Sequence, residues 1–157
     1  MTAEHVYQIY IRAEIEDVWH ALTDPDSTRQ YFHATHWTTP PVAGEAFQTH
    51  LPDGTVAVDG MVEEVDPPHR LVHTWRAVYD EELGAEPASR VSWILTRAGE
   101  GLTHLRLVHD RLESSPLTEE NVRDGWVWIL DSLKSLLETG SPLPRATLMS
   151  EDEPAST

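Results

Sequence analysis

Five Gly/Pro-rich breaks, "TTPPVAGE", "LPDGT", "DPPHR", "EELGAEPAS" and "RAGEGL", cut residues 38–112 into short strand-like runs, and a single long helical period stands behind them. In "NVRDGWVWILDSLKSLLETG", residues 121–140, the apolar positions Val122, Trp126, Ile129, Leu130, Leu133, Leu136 and Leu137 recur at helical spacing. Asp124, Asp131, Ser135 and Glu138 take the other side. A stripe of this length has to be buried, and helices segregated from an antiparallel run imply an α+β fold with the long helix on one face of a curved sheet.

The same helix carries two tryptophans that cannot share a face. At about 100° per residue, positions two apart point to nearly opposite sides. Trp126 falls in the stripe and Trp128 among the polar positions. A large aromatic there is expected to be covered, either by the chain's own tail or by a second subunit in a homodimer built on Trp128.

Ahead of the strand-rich region, "HVYQIYIR" alternates with period two and predicts a first strand over residues 5–12. Ile15, Val18, Trp19 and Leu22 then fall at helical spacing, and Asp24 with Pro25 restarts a second short helix ending near Phe32. Five or six antiparallel strands follow. Pro116, with Thr118 as candidate cap, opens the long helix. Residues 1–140 therefore form one domain, and "SPLPRATLMSEDEPAST", residues 141–157, is expected to be a disordered acidic tail.

Composition removes several classes of function. The chain has no cysteine, which excludes disulfides, thiol catalysis and cysteine-ligated metal. A formal charge of −16, from 27 acidic against 11 basic residues, repels phosphate backbones and anionic membranes, so nucleic acid is not an expected partner. No run of 18 apolar residues and no basic-then-apolar leader is present, which predicts a cytoplasmic protein with no membrane insertion.

Four stretches in this order are familiar: "IYIRAEIEDVWHALTDPDSTRQYF", "VDGMVEEVDPPHRLVHTWR", "GLTHLRLVHDRL" and "GWVWILDSLKSLLE". Together they cover roughly residues 6–138, and the chain resembles the START-like (SRPBCC, Bet v 1-like) superfamily, in the branch named for the activator of Hsp90 ATPase homologue 1. The resemblance implies a helix-grip fold. Two short helices would follow the first strand, and a curved antiparallel sheet of about six or seven strands would wrap round the C-terminal helix, commonly with an apolar cavity between them. Gly125 and Trp126 correspond to the family's Gly-Trp pair, while Trp128 departs from the pattern. Because that scaffold hosts carriers, cyclases, hydrolases and chaperone regulators, function has to be argued from the site.

Alternation indicates which side chains look into the grip. Val91, Trp93 and Leu95 share one face, as do Thr103, Leu105, Leu107 and His109, leaving Ser92, Thr96, His104 and Arg106 outward. Leu71, His73 and Trp75 are expected inward against Val72, Thr74 and Arg76. Val56, Val58, Gly60 and Val62 turn inward likewise, with Gly60 allowing a bulky neighbour to come close. The expected ligand wall is Trp37, Phe47, Val58, His73, Trp75, Trp93, Leu107, His109, Trp126 and Leu130.

Three readings follow for this chain. In the first, it binds a small hydrophobic, aromatic or polyketide-like molecule without catalysis and without a cofactor. In the second it is a cyclase, aromatase or hydrolase using His73, His109 and Tyr79 as acid and base. The third, carried by the family name, is a chaperone partner, although no preceding chaperone-binding domain is expected within these 157 residues. His33, His36 and His50 suggest a metal, but His33 and His36 sit in a loop with no carboxylate near them in sequence, so none is expected.

Overall fold

A computed structural model describes residues 4–31, 36–37, 41–51 and 53–144, with 36, 37 and 124 described by backbone alone. Strand β1 (His5–Ile11) leads into helices α1 (Ile15–Thr23) and α2 (Pro25–Tyr31). Strands β2 (His36–Trp37), β3 (Ala46–His50), β4 (Val56–Asp66) and β5 (Arg70–Ala77) follow. A single helical turn, α3 (Glu81–Gly84), then precedes β6 (Ser89–Gly99), β7 (Leu102–Asp110) and the long helix α4 (Pro116–Thr139).

The strands form one seven-stranded antiparallel sheet in the order β1-β7-β6-β5-β4-β3-β2. Strands β2 to β7 are a meander, and β1 closes beside β7. With α4 packed on the curved sheet and two short helices behind the first strand, this is the helix-grip α+β fold. No described helix is long and apolar enough to cross a membrane.

Local chemistry accounts for the helix ends. Asp24 opens α2, its carboxylate accepting from the Ser27 N–H at 3.0 Å, with Pro25 at the first position where a missing N–H costs nothing. Gly140 ends α4 in the left-handed region (φ 89°) and returns its N–H to the Leu136 carbonyl. The start of α4 corrects the expected cap. The helix begins at Pro116 behind Ser115, and Thr118 lies inside its first turn. The hydroxyl of Ser115 is committed to the Pro87 carbonyl, and the Glu86 carboxylate takes the N–H groups of Leu117 and Thr118 at 2.9 and 2.8 Å. Burial opposes ionisation of Glu86, but these donors hold its carboxyl below the usual range.

Helix α4 presses Val122, Trp126, Ile129, Leu130 and Leu133 into the core, while Leu136 and Leu137 are half-buried against it. Strand β1 is tied along the same helix. The Tyr7 hydroxyl donates to the Arg123 carbonyl at 2.6 Å, Lys134 donates to the Tyr10 carbonyl at 2.6 Å, and Glu138 accepts from the Arg12 N–H at 2.7 Å. The last two bonds engage backbone along the outer edge of the sheet, which would otherwise be unpaired there.

Two irregularities in β4 alter the expected alternation. Thr49 pairs with Val58 and His50 with Val56, so Ala57 is an extra residue, buried together with Val58 while Val56 is only half-buried. A second shift between Val62 and Glu64 accompanies the burial of Val72, which simple alternation places outward. Ser92, also on the outward phase, is buried as well. The turn "EELGAEPAS", expected as a plain break, holds α3, whose first turn is capped by Asp80 through the N–H groups of Glu82 and Leu83.

Candidate functional site

Between β5, β6, β7 and α4 lies a set of contacting rings. Trp126 meets Trp93 edge-on at 5.5 Å between centroids, Trp75 at 5.1 Å and His109 at 5.9 Å. His73 lies 6.4 Å from Trp75 and 4.1 Å from Phe47. Register explains the grouping. Cross-strand pairs set Trp93 against Leu71 and Leu107, and Val91 against His73 and His109, so rings on alternate strands fall on one inward face.

Indole donors determine the state of both imidazoles. Trp93 Nε1–H donates to His73 Nε2 at 3.1 Å, and His73 Nδ1–H donates to the Thr74 carbonyl at 3.0 Å. Trp126 Nε1–H donates to His109 Nδ1 at 2.9 Å, so the proton of neutral His109 sits on Nε2 and goes to the Ser89 hydroxyl at 2.6 Å. Ser89 in turn donates to the Trp75 carbonyl at 3.3 Å. An imidazolium has no acceptor nitrogen, so protonating either ring would cost an indole bond as well as placing a charge in the core. Burial accordingly lowers the pKa of His73 to about 4. It lowers that of His109 to about 3, with the neighbouring His73 and His5 adding to the shift and Asp110 opposing it.

This geometry limits the chemistry available. Ser89 and His109 are in contact, yet His109 Nε2 donates to the hydroxyl and is not free to take its proton, so the pair is not set up as a nucleophile and base. Tyr79, the third candidate acid or base, is 52% exposed and donates to the Asn121 side chain.

Most of the expected ligand wall comes together. Phe47, Val58, His73, Trp75, Trp93, Leu107, His109, Trp126 and Leu130 are all buried. Trp37 lies in β2 opposite Thr49, and its side chain is outside the described residues. His33 is outside them too. The backbone register sets His36 against His50, and no group of three or more potential metal ligands occurs among the described residues. Two contributors went unnoticed in the sequence: Thr49, which shares the period-two face of Phe47, and Ser89, whose role depends on register with Trp75.

Gly60 receives its expected close neighbour, which is backbone rather than a ring. A Cβ there would stand 2.3 Å from the Thr74 carbonyl oxygen, and the Met61 N–H is taken by Thr74 Oγ1 at 2.8 Å. On the outer face beside it is a shallow groove of about 350 Å³, bordered by Gln48, Met61 and the Asp59–Arg76 ion pair. Trp128 is half-buried and covered by its own chain: its Nε1–H reaches the Pro144 carbonyl at 3.4 Å, and Leu143 N–H bonds to the buried Ser132 hydroxyl. Residues 141–144 thus run back along α4, and 145–157 are outside the described residues.

Comparison with known proteins places these features. No curated protein matches the chain. Among solved structures, DynU16, described as a putative protein in the dynemicin biosynthetic locus, is 28% identical with a TM-score of 0.73. The match covers 88% of this chain and 48% of DynU16, so the chain spans about half the length of that relative. MLL2253 of Mesorhizobium loti is 25% identical with a TM-score of 0.72 over 87% of this chain and 97% of its own. The Aha1 dimer of Colwellia psychrerythraea, 20% identical with a TM-score of 0.70 over 88% of this chain and 98% of its own, shares the fold. The model for activator of Hsp90 ATPase homolog 1-like proteins matches residues 12–138, well over half the chain, and the protein belongs to that family, within the START-like superfamily.

Proposed function

We propose that the protein binds a small, mostly apolar molecule, aromatic or polyketide-like, between the sheet and α4, and that it acts without catalysis. The carrying observation is the concentration of rings on one inward face: Phe47, His73, Trp75, Trp93, His109 and Trp126 form an unbroken series of ring contacts or indole-to-imidazole bonds. Aromatic surface of this kind gives large apolar contact with oriented polar edges, which suits flat ligands. Kinship with DynU16, a protein of a biosynthetic locus, supports a small organic ligand. Binding is favoured over an enzyme because each nitrogen of both imidazoles already serves an internal bond.

Native mass spectrometry of protein freshly purified from its own host tests this reading. The expected spectrum contains a population heavier than the chain by the mass of a small organic molecule, lost on mild activation. Only the bare chain mass, together with no uptake of any aromatic probe, would sink it.

A further inference from the structure

Two neighbouring rows on the inward face of β3, β4 and β5 differ in kind. Phe47 and Trp75 are large rings, whereas the row one pleat further, Thr49–Val58–Ala77, is composed of small side chains paired in register across the three strands. A pleat repeat is about 7 Å, so the small row lies within the length of a flat aromatic molecule measured from the rings. Thr49 is 1% exposed, and its Oγ1 has no hydrogen-bond partner among the described residues. Leaving a buried hydroxyl unsatisfied costs on the order of 1–3 kcal/mol, whereas the imidazoles of the same core are fully paired.

We infer that the row Thr49–Val58–Ala77 is a ligand subsite, and that Thr49 Oγ1 is the specificity-determining contact for the oxygen-bearing end of a neutral aromatic molecule. The inference rests on the binding function proposed above and names the chemistry of its ligand. A threonine hydroxyl both donates and accepts, so it suits a carbonyl or a hydroxyl on the ligand. Neutrality follows from the surroundings. No aspartate, glutamate, lysine or arginine occurs among the described buried residues, and the two buried histidines are held neutral by their indole donors, so an ionised ligand would find no counter-charge.

Equilibrium dialysis with naphthalene and 2-naphthol, which differ by one hydroxyl, tests the assignment in the full chain and in the variants Thr49→Val and Thr49→Ser. Loss of the hydroxyl in Thr49→Val is expected to shift the ratio of the two affinities toward naphthalene by on the order of tenfold, about the worth of one buried hydrogen bond. Thr49→Ser keeps the hydroxyl and should keep the ratio. An unchanged ratio in Thr49→Val would overturn the role of Thr49 while leaving the binding function standing. If the unaltered protein takes up neither probe, the assignment of this row to a neutral aromatic end falls, while the binding function is decided separately by the native mass spectrum.

Discussion

Where β5, β6 and β7 meet α4, two buried imidazoles have all four nitrogens matched to an indole, a carbonyl or a hydroxyl, whereas on β3 a buried hydroxyl is matched to nothing described. The two regions lie on the same inward face. The first is a closed polar network inside an aromatic core, and such networks rigidify the packing around them when every member is satisfied. The second is bulged, floored by small residues and left with one unmet bond, a condition that folding alone does not favour. The difference separates a part of the grip whose imidazole nitrogens are all committed to the fold from a part that keeps one polar atom uncommitted among the described residues.

The strongest test of the closed region is acid. His73 and His109 have pKa values in the fold of about 4 and about 3, against 6.5 ordinarily. Above pH 6.5 both are neutral in folded and unfolded chains, and their contribution to stability is fully present. As pH falls below 6.5 the unfolded chain takes up protons that the fold refuses, and stability is lost until pH passes about 4 and then about 3. Each histidine contributes a slope of up to about 1.4 kcal/mol per pH unit, so several kcal/mol should be lost between pH 7 and 4. Urea unfolding at stepped pH measures this. The loss should begin above pH 5.5, before carboxylates of the unfolded chain titrate, and a flat profile there would contradict the buried neutral network.

Next in size is the anchor of α4. Trp126→Ala removes the ring shared by Trp75, Trp93 and His109, and should cost about 3–5 kcal/mol in chemical unfolding. Trp126→Phe keeps most of the packing but leaves His109 Nδ1 without its donor, at a cost of about 1–3 kcal/mol. Equal losses for the two variants would mean that the indole N–H contributes as much as the whole ring, contrary to the packing seen. On the other side of the comparison, Gly60→Ala would push a methyl to 2.3 Å from the Thr74 carbonyl oxygen, and a loss of about 1–3 kcal/mol is expected as β4 and β5 separate.

Much of the closed region was legible in the sequence because it obeys undistorted periods. The faces Val91–Trp93–Leu95 and Leu105–Leu107–His109, and the stripe of α4, follow from periods of two and 3.6, and all of these side chains but Leu136 and Leu137 are fully buried. The bulged region was not legible in the same way. One extra residue shifts the phase, so Ala57 and Val58 are buried side by side and Val72 is buried on the outward phase. Contacts that depend on distant partners were also hidden: Glu86 caps α4 from 32 residues away, and Ser89 meets His109 only because β6 and β7 align in that register. The covering of Trp128 was foreseen as a need, and residues 141–144 supply it.

The smallest effects sharpen the comparison most, because the two regions should respond to the same kind of change with opposite signs. Ser89→Ala removes the acceptor of His109 Nε2–H in the closed network, leaving a buried donor unpaired, and should destabilise the ligand-free protein by about 1–2 kcal/mol. Thr49→Val removes a buried hydroxyl that has no partner among the described residues and replaces it with a methyl of similar size. Relief of that unmet bond should stabilise the ligand-free protein by about 1 kcal/mol. Thermal unfolding of the two variants beside the unaltered chain reads both signs at once. If Thr49→Val lowered the midpoint as Ser89→Ala does, the hydroxyl would have an internal role in the folded chain, and the contrast between a closed and an open end of the grip would disappear. A rise for Thr49→Val with a fall for Ser89→Ala would show that the fold tolerates a cost at Thr49 that it tolerates nowhere in the imidazole network, as expected of an atom kept for a ligand.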